Sequence, residues 1–172
     1  MAAVGARNSD TFKVSTPAER TIVLTRVFDA PRHLVFEAMT RREHIRRWWG
    51  QLGEGYSVPV CDVDLRVGGA WRFVNQHPKG QAEFYGVYRE IAPPEKLVFT
   101  EIYAPFPDGE SVVSTVFTEE DGKTRITGTC TYPSNEVRDF VLQTGMEKGA
   151  ALSYDRLEDV ALELASHDQR AV

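Results

Sequence analysis

The feature that most constrains the fold is a run of short segments in which apolar and polar residues alternate. Between residues 56 and 132 this period of two recurs with little interruption, and it is the spacing of strands with one buried face. Tight-turn residues such as Asp121-Gly122 separate the segments. Short strands joined by tight turns indicate an antiparallel meander, because parallel crossovers need a dozen or more residues. The predicted strands are 57–64, 70–77, 82–91, 96–104, 111–119 and 124–132.

The residues before this meander predict one more strand and two short helices. Residues 21–29, TIVLTRVFD, alternate and are rich in β-branched side chains. Pro31 suits the first position of a helix, and Thr40 with Glu43 matches a capping box that would open a second helix. That second helix contains HIRRWWG, and Gly50 is expected to end it.

After Pro133 the apolar spacing becomes helical and predicts one long C-terminal helix, with a break at Gly145 and Gly149. Its apolar stripe comprises Ala150, Tyr154, Leu157, Ala161 and Leu164. The charged residues between them are expected to face solvent, namely Lys148, Asp155, Arg156, Glu158, Asp159 and Glu163. No other predicted element is long enough to cover the concave face of a curved sheet.

Together these elements predict an α+β domain over residues 21–165. In it a curved antiparallel sheet of about seven strands wraps around the C-terminal helix, with two short helices after the first strand. A length of 172 residues suits one domain. Residues 1–20 are small and polar, which predicts a flexible leader that the fold does not need, and residues 166–172 are expected to form a tail.

Composition narrows the classes of function. A net charge of −5 argues against nucleic-acid and anionic-membrane binding. Cys61 and Cys130 form no CxxC pair, which is typical of a reduced, cytoplasmic protein without a disulfide framework or zinc site. No signal peptide or membrane-spanning stretch is evident, and metal-binding and nucleophile motifs are missing. We therefore predict no catalytic residues, no metal and no cofactor.

Alternation also indicates which side chains face the C-terminal helix. Most of these inward-facing side chains are aromatic, and a few are polar. This composition is typical of a pocket wall as well as of an ordinary core. Gly86 and Gly128 lie among the large rings and are expected to leave room. The predicted lining consists of Trp71, Phe73, Asn75, Phe84, Tyr88, Phe99, Glu101, Tyr103, Thr115, Phe117 and Cys130, with Met146 from the C-terminal helix.

Glu101 and the paired indoles need separate interpretation. A buried carboxylate at Glu101 needs a partner, a raised pKa or access to water. In a functional role it can bind a ligand cation or hydroxyl, or act as an acid or base. In a structural role it pairs with a nearby arginine, or a one-residue shift of the strand register places it on the outer face of the sheet. Trp48 and Trp49 lie about 100° apart on a helix, so one is expected in the core and the other at the cavity rim. The neighbouring arginines, Arg41, Arg42, Arg46 and Arg47, suit a solvated helix face better than a phosphate site.

A series of motifs resembles the SRPBCC superfamily, and within it the branch named after the activator of heat-shock-protein ATPase. The series is FDAPRHLVFEAMT, WWG, CDVDLRVGGAWRF, GVYREIAPPEKLVFTE, DGKTRITGTCTYPS and GMEKGAALSYDRLEDVALEL, in order over roughly residues 21–165. The resemblance implies a helix-grip, START-like fold with a cavity between sheet and C-terminal helix. Members of the superfamily include lipid carriers, hormone receptors, cyclases and co-chaperones.

The expected function is binding of a small apolar or amphipathic ligand in that cavity. One alternative is a partner-binding module that assists a chaperone or regulator in the stress response. A further alternative is a cyclase-like or hydrolytic enzyme that uses polar groups of the cavity. Both a monomer and a homodimer fit the sequence.

Overall fold

An eight-stranded antiparallel sheet organises the chain. A computed structural model describes residues 8–170, with side chains up to residue 168. The strands are β1 (Lys13–Ser15), β2 (Thr21–Phe28), β3 (Ser57–Val63), β4 (Ala70–His77), β5 (Gly80–Ala92), β6 (Lys96–Tyr103), β7 (Phe106–Glu120) and β8 (Lys123–Thr131). Their order in the sheet is β1-β2-β8-β7-β6-β5-β4-β3, so the predicted meander from β3 to β8 is confirmed.

Four α-helices complete the fold in the described part of the chain. They are α1 (Arg32–Thr40), α2 (Arg42–Trp48), α3 (Asn135–Gln143) and α4 (Met146–Arg170). Leu157, Val160 and Ala161 of α4 are buried in one core cluster with residues of α1, α2 and the sheet. Gly145 separates α3 from α4 with a φ of +80°, a left-handed conformation that glycine adopts without strain. The predicted α+β helix-grip fold is therefore confirmed.

The join between α1 and α2 differs from the predicted capping box. Thr40 is the last residue of α1, and its buried hydroxyl donates to the carbonyl oxygen of Phe36 over 2.8 Å. Arg41, with extended backbone, takes the cap position of α2 and makes no side-chain capping bond. Because Thr40 is still helical, its hydroxyl turns back along its own helix instead of opening the next one.

The prediction of a flexible N-terminal leader is wrong for the described residues of that segment. Ser9–Thr11 form a 3-10 helix, and β1 pairs antiparallel with β2, with Lys13 opposite Thr25. Phe12 and Val14 pack against a second core cluster. This pairing satisfies the edge of β2, which would otherwise expose a row of backbone groups. Residues 1–7 lie outside the described residues.

The predicted C-terminal tail is also shorter than expected, because α4 continues to Arg170. Residues 171–172 lie outside the described residues. No helix in the described part of the chain has the length and hydropathy that crossing a membrane requires.

Two carboxylates of α4 face inward, contrary to the expected solvent-exposed face. Arg26 lies on the inner face of β2 between the buried residues Leu24 and Phe28 and is itself buried. Its Nη2 lies 2.8 Å from Asp155 Oδ1 and 3.5 Å from Glu158 Oε1. Glu158 Oε2 also accepts from the Asp29 backbone N–H and from Asn8 Nδ2, each over 2.8 Å. A buried guanidinium needs such counter-charges, so it draws Asp155 and Glu158 to the core side of the helix.

Candidate functional site

Part of the predicted lining packs as ordinary core. The residues concerned are Trp71, Phe73, Tyr88 and Phe117, all buried on the inner face of the sheet. The Phe117 ring contacts Phe36 of α1 edge-on, with 5.2 Å between centroids. These rings belong to one buried cluster with residues of α1 and α2, so this part of the concave face is filled.

The two adjacent tryptophans lie in different surroundings. Trp48 is buried, and its Nε1 donates to the carbonyl oxygen of Ala38 over 2.8 Å. Trp49 is only partly buried and contacts Phe73 and Phe84 edge-on, with centroids 5.2 and 5.5 Å apart. Trp48 is therefore core, and Trp49 extends the aromatic wall toward its edge.

The two glycines of the inner face behave differently from each other. At Gly86 an added Cβ would lie 1.8 Å from the Thr100 carbonyl oxygen and 2.8 Å from Trp71 Nε1. That indole donates to the same oxygen over 3.0 Å, so the position is filled and the expectation of room at Gly86 is wrong. At Gly128 an added Cβ would approach nothing closer than 3.9 Å. A larger side chain therefore fits the inner face at Gly128 but not at Gly86.

Glu101 projects from the inner face of β6. It lies opposite Ser111 of β7, which is buried, and the residue itself keeps part of its surface accessible. Burial raises the pKa of the Glu101 carboxyl from 4.5 to about 7. The Ser111 hydroxyl donates to the backbone oxygen of Glu101, and among the described residues no side chain bonds to its carboxylate. Glu101 is therefore a partly accessible carboxyl without a side-chain partner among the described residues.

Three further titratable groups face the Glu101 carboxylate. Burial, and after it the negative charge of Glu101, raises the pKa of the Cys130 thiol on β8 to about 12. Burial is also the largest cause that raises the pKa of Tyr132, which follows β8, and of Tyr154 on α4. The charge of Cys130 is the second cause and the charge of Glu101 the third. All three groups are therefore neutral at pH 7. The cluster can orient a polar group of a ligand by hydrogen bonds and one titratable charge.

The remaining predicted lining residues have diverse surroundings. Asn75 Nδ2 donates to the carbonyl oxygens of Gly50 and Ser57, over 2.9 and 3.3 Å, which fixes the loop after α2. Tyr103 is 41% exposed at the end of β6, with its ring 5.1 Å from that of Phe84. Asn75 thus has a structural role that the alternating pattern does not reveal.

Thr115 and Met146 lie near Gly128 and Cys130 of β8. Thr115 is buried, and its Oγ1 is 4.0 Å from the position of a Cβ on Gly128. Met146 is partly buried against the cluster that contains Cys130. The structure therefore brings Thr115, Cys130 and Met146 together around β8, and Glu101 and Phe99 lie on β6, on the far side of β7.

The predicted lining omits Tyr132 and Tyr154. Tyr132 has the same parity as Cys130 two residues earlier, so alternation places both on one face. Tyr154 belongs to the apolar stripe of α4 and contacts the rings of Phe12 and Phe28 edge-on, at 5.9 and 6.0 Å. The signal that could have identified Tyr154 as a lining residue is its hydroxyl-bearing ring within the apolar stripe of a helix that faces the sheet.

Two shallow depressions lie elsewhere on the surface. One, of about 350 Å³, lies on the opposite side of the sheet around Arg72, Tyr85 and Val87. The other, of about 290 Å³, borders the β7–β8 turn near Asp121 and Lys123. Among the described residues no group of three or more potential metal ligands lies close together. These surfaces contain none of the titratable cluster around Glu101.

Comparison with solved structures shows the same fold in bacterial proteins. A Rhodobacter sphaeroides protein is 22% identical, with a TM-score of 0.78, and the match covers 90% of this chain and 98% of that one. Protein NE0264 from Nitrosomonas europaea is 22% identical, with a TM-score of 0.76 and coverage of 88% and 99%. Protein Ms6760 from Mycobacterium smegmatis is 25% identical, with a TM-score of 0.74 and coverage of 86% and 96%.

Comparison by sequence places the chain in a family. No curated protein sequence gives a significant match. Residues 29–161, which run from the end of β2 into α4, match the family model described as Activator of Hsp90 ATPase homolog 1-like protein. This match covers most of the chain and includes β3 to β8, α1 to α3 and the buried part of α4. The chain therefore belongs to the family of Activator of Hsp90 ATPase homolog 1-like proteins.

Proposed function

We propose that the protein binds a small apolar or amphipathic molecule between the concave face of the sheet and α4. The observation that carries this proposal is the residual exposure of aromatic rings on the inner side. Trp49, Phe84 and Phe99 remain partly accessible, whereas Trp71 and Phe117 on the same face are buried. A closed core would bury both groups alike. Accessible rings on the concave face supply apolar walls for a ligand.

Polar groups lie at one end of this wall. Glu101, Thr115 and Cys130 lie on β6, β7 and β8, and all three face the inner side of the sheet. A site with apolar walls and a few polar groups binds a ligand by burial of apolar surface, while the polar groups fix its orientation. This arrangement favours a molecule with one apolar body and one polar end.

Fluorescence titration with 1-naphthylmethanol, a neutral flat aromatic alcohol, tests the proposal. We expect a saturable change in indole emission at micromolar affinity, a free energy of about −8 kcal/mol. Gly128→Leu should fill the space and weaken binding about tenfold or more. Val116→Leu, on the exposed opposite face, is the matched control and should leave binding unchanged. Equal affinities for both variants and the parent protein would contradict a site over β8.

A second candidate function is binding of a protein partner. Tyr103, Phe106 and Phe140 are 41%, 44% and 56% exposed, and the rings of Phe106 and Phe140 lie 6.3 Å apart. Exposed aromatic residues in contact are typical anchors of protein interfaces. The family description names an Hsp90 ATPase activator, which makes such an ATPase the partner to test.

Direct measurement of Hsp90 ATPase rate with added protein separates the two candidates. A partner module should stimulate the ATPase, and Phe140→Ser should remove that effect without altering the affinity for 1-naphthylmethanol. A ligand carrier should bind the alcohol and leave the ATPase rate unchanged. Native mass spectrometry of freshly purified protein adds an independent readout, because a retained small molecule appears as a mass increment.

A further inference from the structure

The Glu101 carboxylate is an uncompensated acid on the inner face of the sheet. We propose that the molecule bound there carries a protonated amine, which pairs with the Glu101 carboxylate. This inference rests on the proposed ligand-binding function and specifies the chemistry of its ligand.

The first support is the lack of an internal counter-charge. Among residues 8–168, none forms a hydrogen bond or ion pair with the Glu101 carboxylate. Arg26 is the buried cation of the same sheet face, but its guanidinium binds the Asp155 carboxylate over 2.8 Å and the Tyr154 carbonyl oxygen over 2.7 Å. Glu158 provides it with a second carboxylate. No counter-charge for Glu101 therefore lies among the described residues, and a cationic ligand can supply one.

The second support is the aromatic surroundings. Phe99, two residues before Glu101 on the same strand face, contacts Trp71 and Tyr88 edge-on, with centroids 5.6 and 6.4 Å apart. Phe84 contacts Tyr103 at 5.1 Å. The face of an aromatic ring attracts a cation, and a nearby carboxylate adds charge pairing. An anionic ligand such as a fatty acid would meet like-charge repulsion in the same place.

The third support is that the other groups facing Glu101 are neutral. Cys130 on β8, Tyr132 after β8 and Tyr154 on α4 all hold their protons at neutral pH because they are buried. They can accept hydrogen bonds from an ammonium group but do not compete for its charge. Between pH 6 and 8, ionisation in this cluster is therefore ionisation of Glu101.

Calorimetric titration with three probes of similar shape tests the inference at pH 8. The probes are 1-naphthylmethylamine, 1-naphthylmethanol and 1-naphthoate. We expect the amine to bind at least tenfold more tightly than the alcohol, and the carboxylate to bind most weakly. Glu101→Gln should reduce the affinity for the amine to that for the alcohol, while the alcohol changes less than about twofold. Glu110→Gln, at an exposed glutamate, should change none of the three affinities.

The pH dependence of the unaltered protein gives a readout that needs no variant. A carboxyl with a pKa of about 7 is about one-tenth ionised at pH 6 and about nine-tenths at pH 8, so affinity for the protonated amine should rise roughly tenfold over that range. Affinity for the alcohol should not rise. An amine that binds no better than the alcohol, or a preference that survives Glu101→Gln, would overturn the inference. Failure of all three probes would instead overturn the ligand site itself.

Discussion

Arg26 of the second strand and Glu158 of the C-terminal helix face each other inside the protein, with 3.5 Å between Nη2 and Oε1. Neither side chain is accessible to solvent beyond 1%. Burial lowers the pKa of Arg26 and raises that of Glu158, while each charge opposes the shift of the other. The pair joins the inner face of the sheet to the helix that covers it.

Glu158→Ala is expected to destabilise the protein by about 3–5 kcal/mol, because it leaves the buried guanidinium with one carboxylate fewer. It also removes the acceptor for Asn8 and for the Asp29 backbone. Glu163→Ala on the same helix breaks an exposed ion pair with Arg47 and should cost at most about 1 kcal/mol. Urea unfolding of both variants measures the difference. Equal losses would show that Glu158 does not stabilise the core.

Phe12→Ala is expected to destabilise by roughly 1–3 kcal/mol, less than a fully buried phenylalanine because Phe12 is partly exposed. Its ring packs on Tyr154 of α4 and on the cluster beneath β2. Lys13→Ala, at the next and exposed position, should change stability by less than about 0.5 kcal/mol. Thermal unfolding distinguishes the two. No effect from Phe12→Ala would mean that the N-terminal segment adds nothing to the fold.

Gly86→Ala and Gly128→Ala are expected to differ sharply although both glycines lie on inner-facing positions. The Cβ at Gly86 would collide with the Thr100 carbonyl oxygen at 1.8 Å, so the strand must shift and stability should fall by about 2 kcal/mol or more. The Cβ at Gly128 meets only ordinary contacts, and its stability should stay within about 1 kcal/mol of the parent. Denaturant midpoints measure both, and a reversed order would show that Gly128 is the more tightly packed of the two positions.

Glu101→Gln is expected to stabilise the protein above pH 7 and to have no effect near pH 4.5. Burial raises the folded-state pKa of Glu101 from 4.5 to about 7, so between these values the folded state holds a proton that the unfolded state releases. The contribution of Glu101 to stability is therefore full below pH 4.5 and is lost as the pH rises to 7, a change of at most about 3 kcal/mol.

Denaturant unfolding of the parent and Glu101→Gln proteins from pH 4.5 to pH 8 measures this effect. The difference between the two curves isolates Glu101, since other titrating groups contribute equally to both. A difference that does not change with pH would show that Glu101 ionises as freely in the folded protein as in the unfolded chain.

Local periodicity is sufficient to predict the sheet and the covering helix. In β7 and β8 the buried residues fall at every second position, and in α4 Leu157 and Ala161 recur at helical spacing. These patterns depend on neighbours within one element. The strand β1 was not predicted, because three residues carry too little pattern and their stability comes from pairing with β2.

The parts of the site that escaped prediction depend on contacts distant in sequence. A glutamate on a helix is expected in solvent unless a buried cation requires it, and the partner of Glu158 lies 132 positions earlier. The sequence shows that Gly86 has no side chain, but it does not show that a backbone carbonyl group occupies the space where a side chain would lie. The inward position of Glu101 follows from alternation, whereas the lack of a partner requires the whole fold.

The Arg26–Glu158 pair also sets the order in which the chain can complete its fold during synthesis. Arg26 leaves the ribosome long before Glu158, because 132 positions separate them. Until then the inner face of the nascent sheet carries a cation without its counter-charge, and it cannot expel water at low cost. The sheet is therefore expected to stay open until the last helix emerges, and a chain released before that helix is made should remain incompletely folded and a substrate for chaperones and proteases.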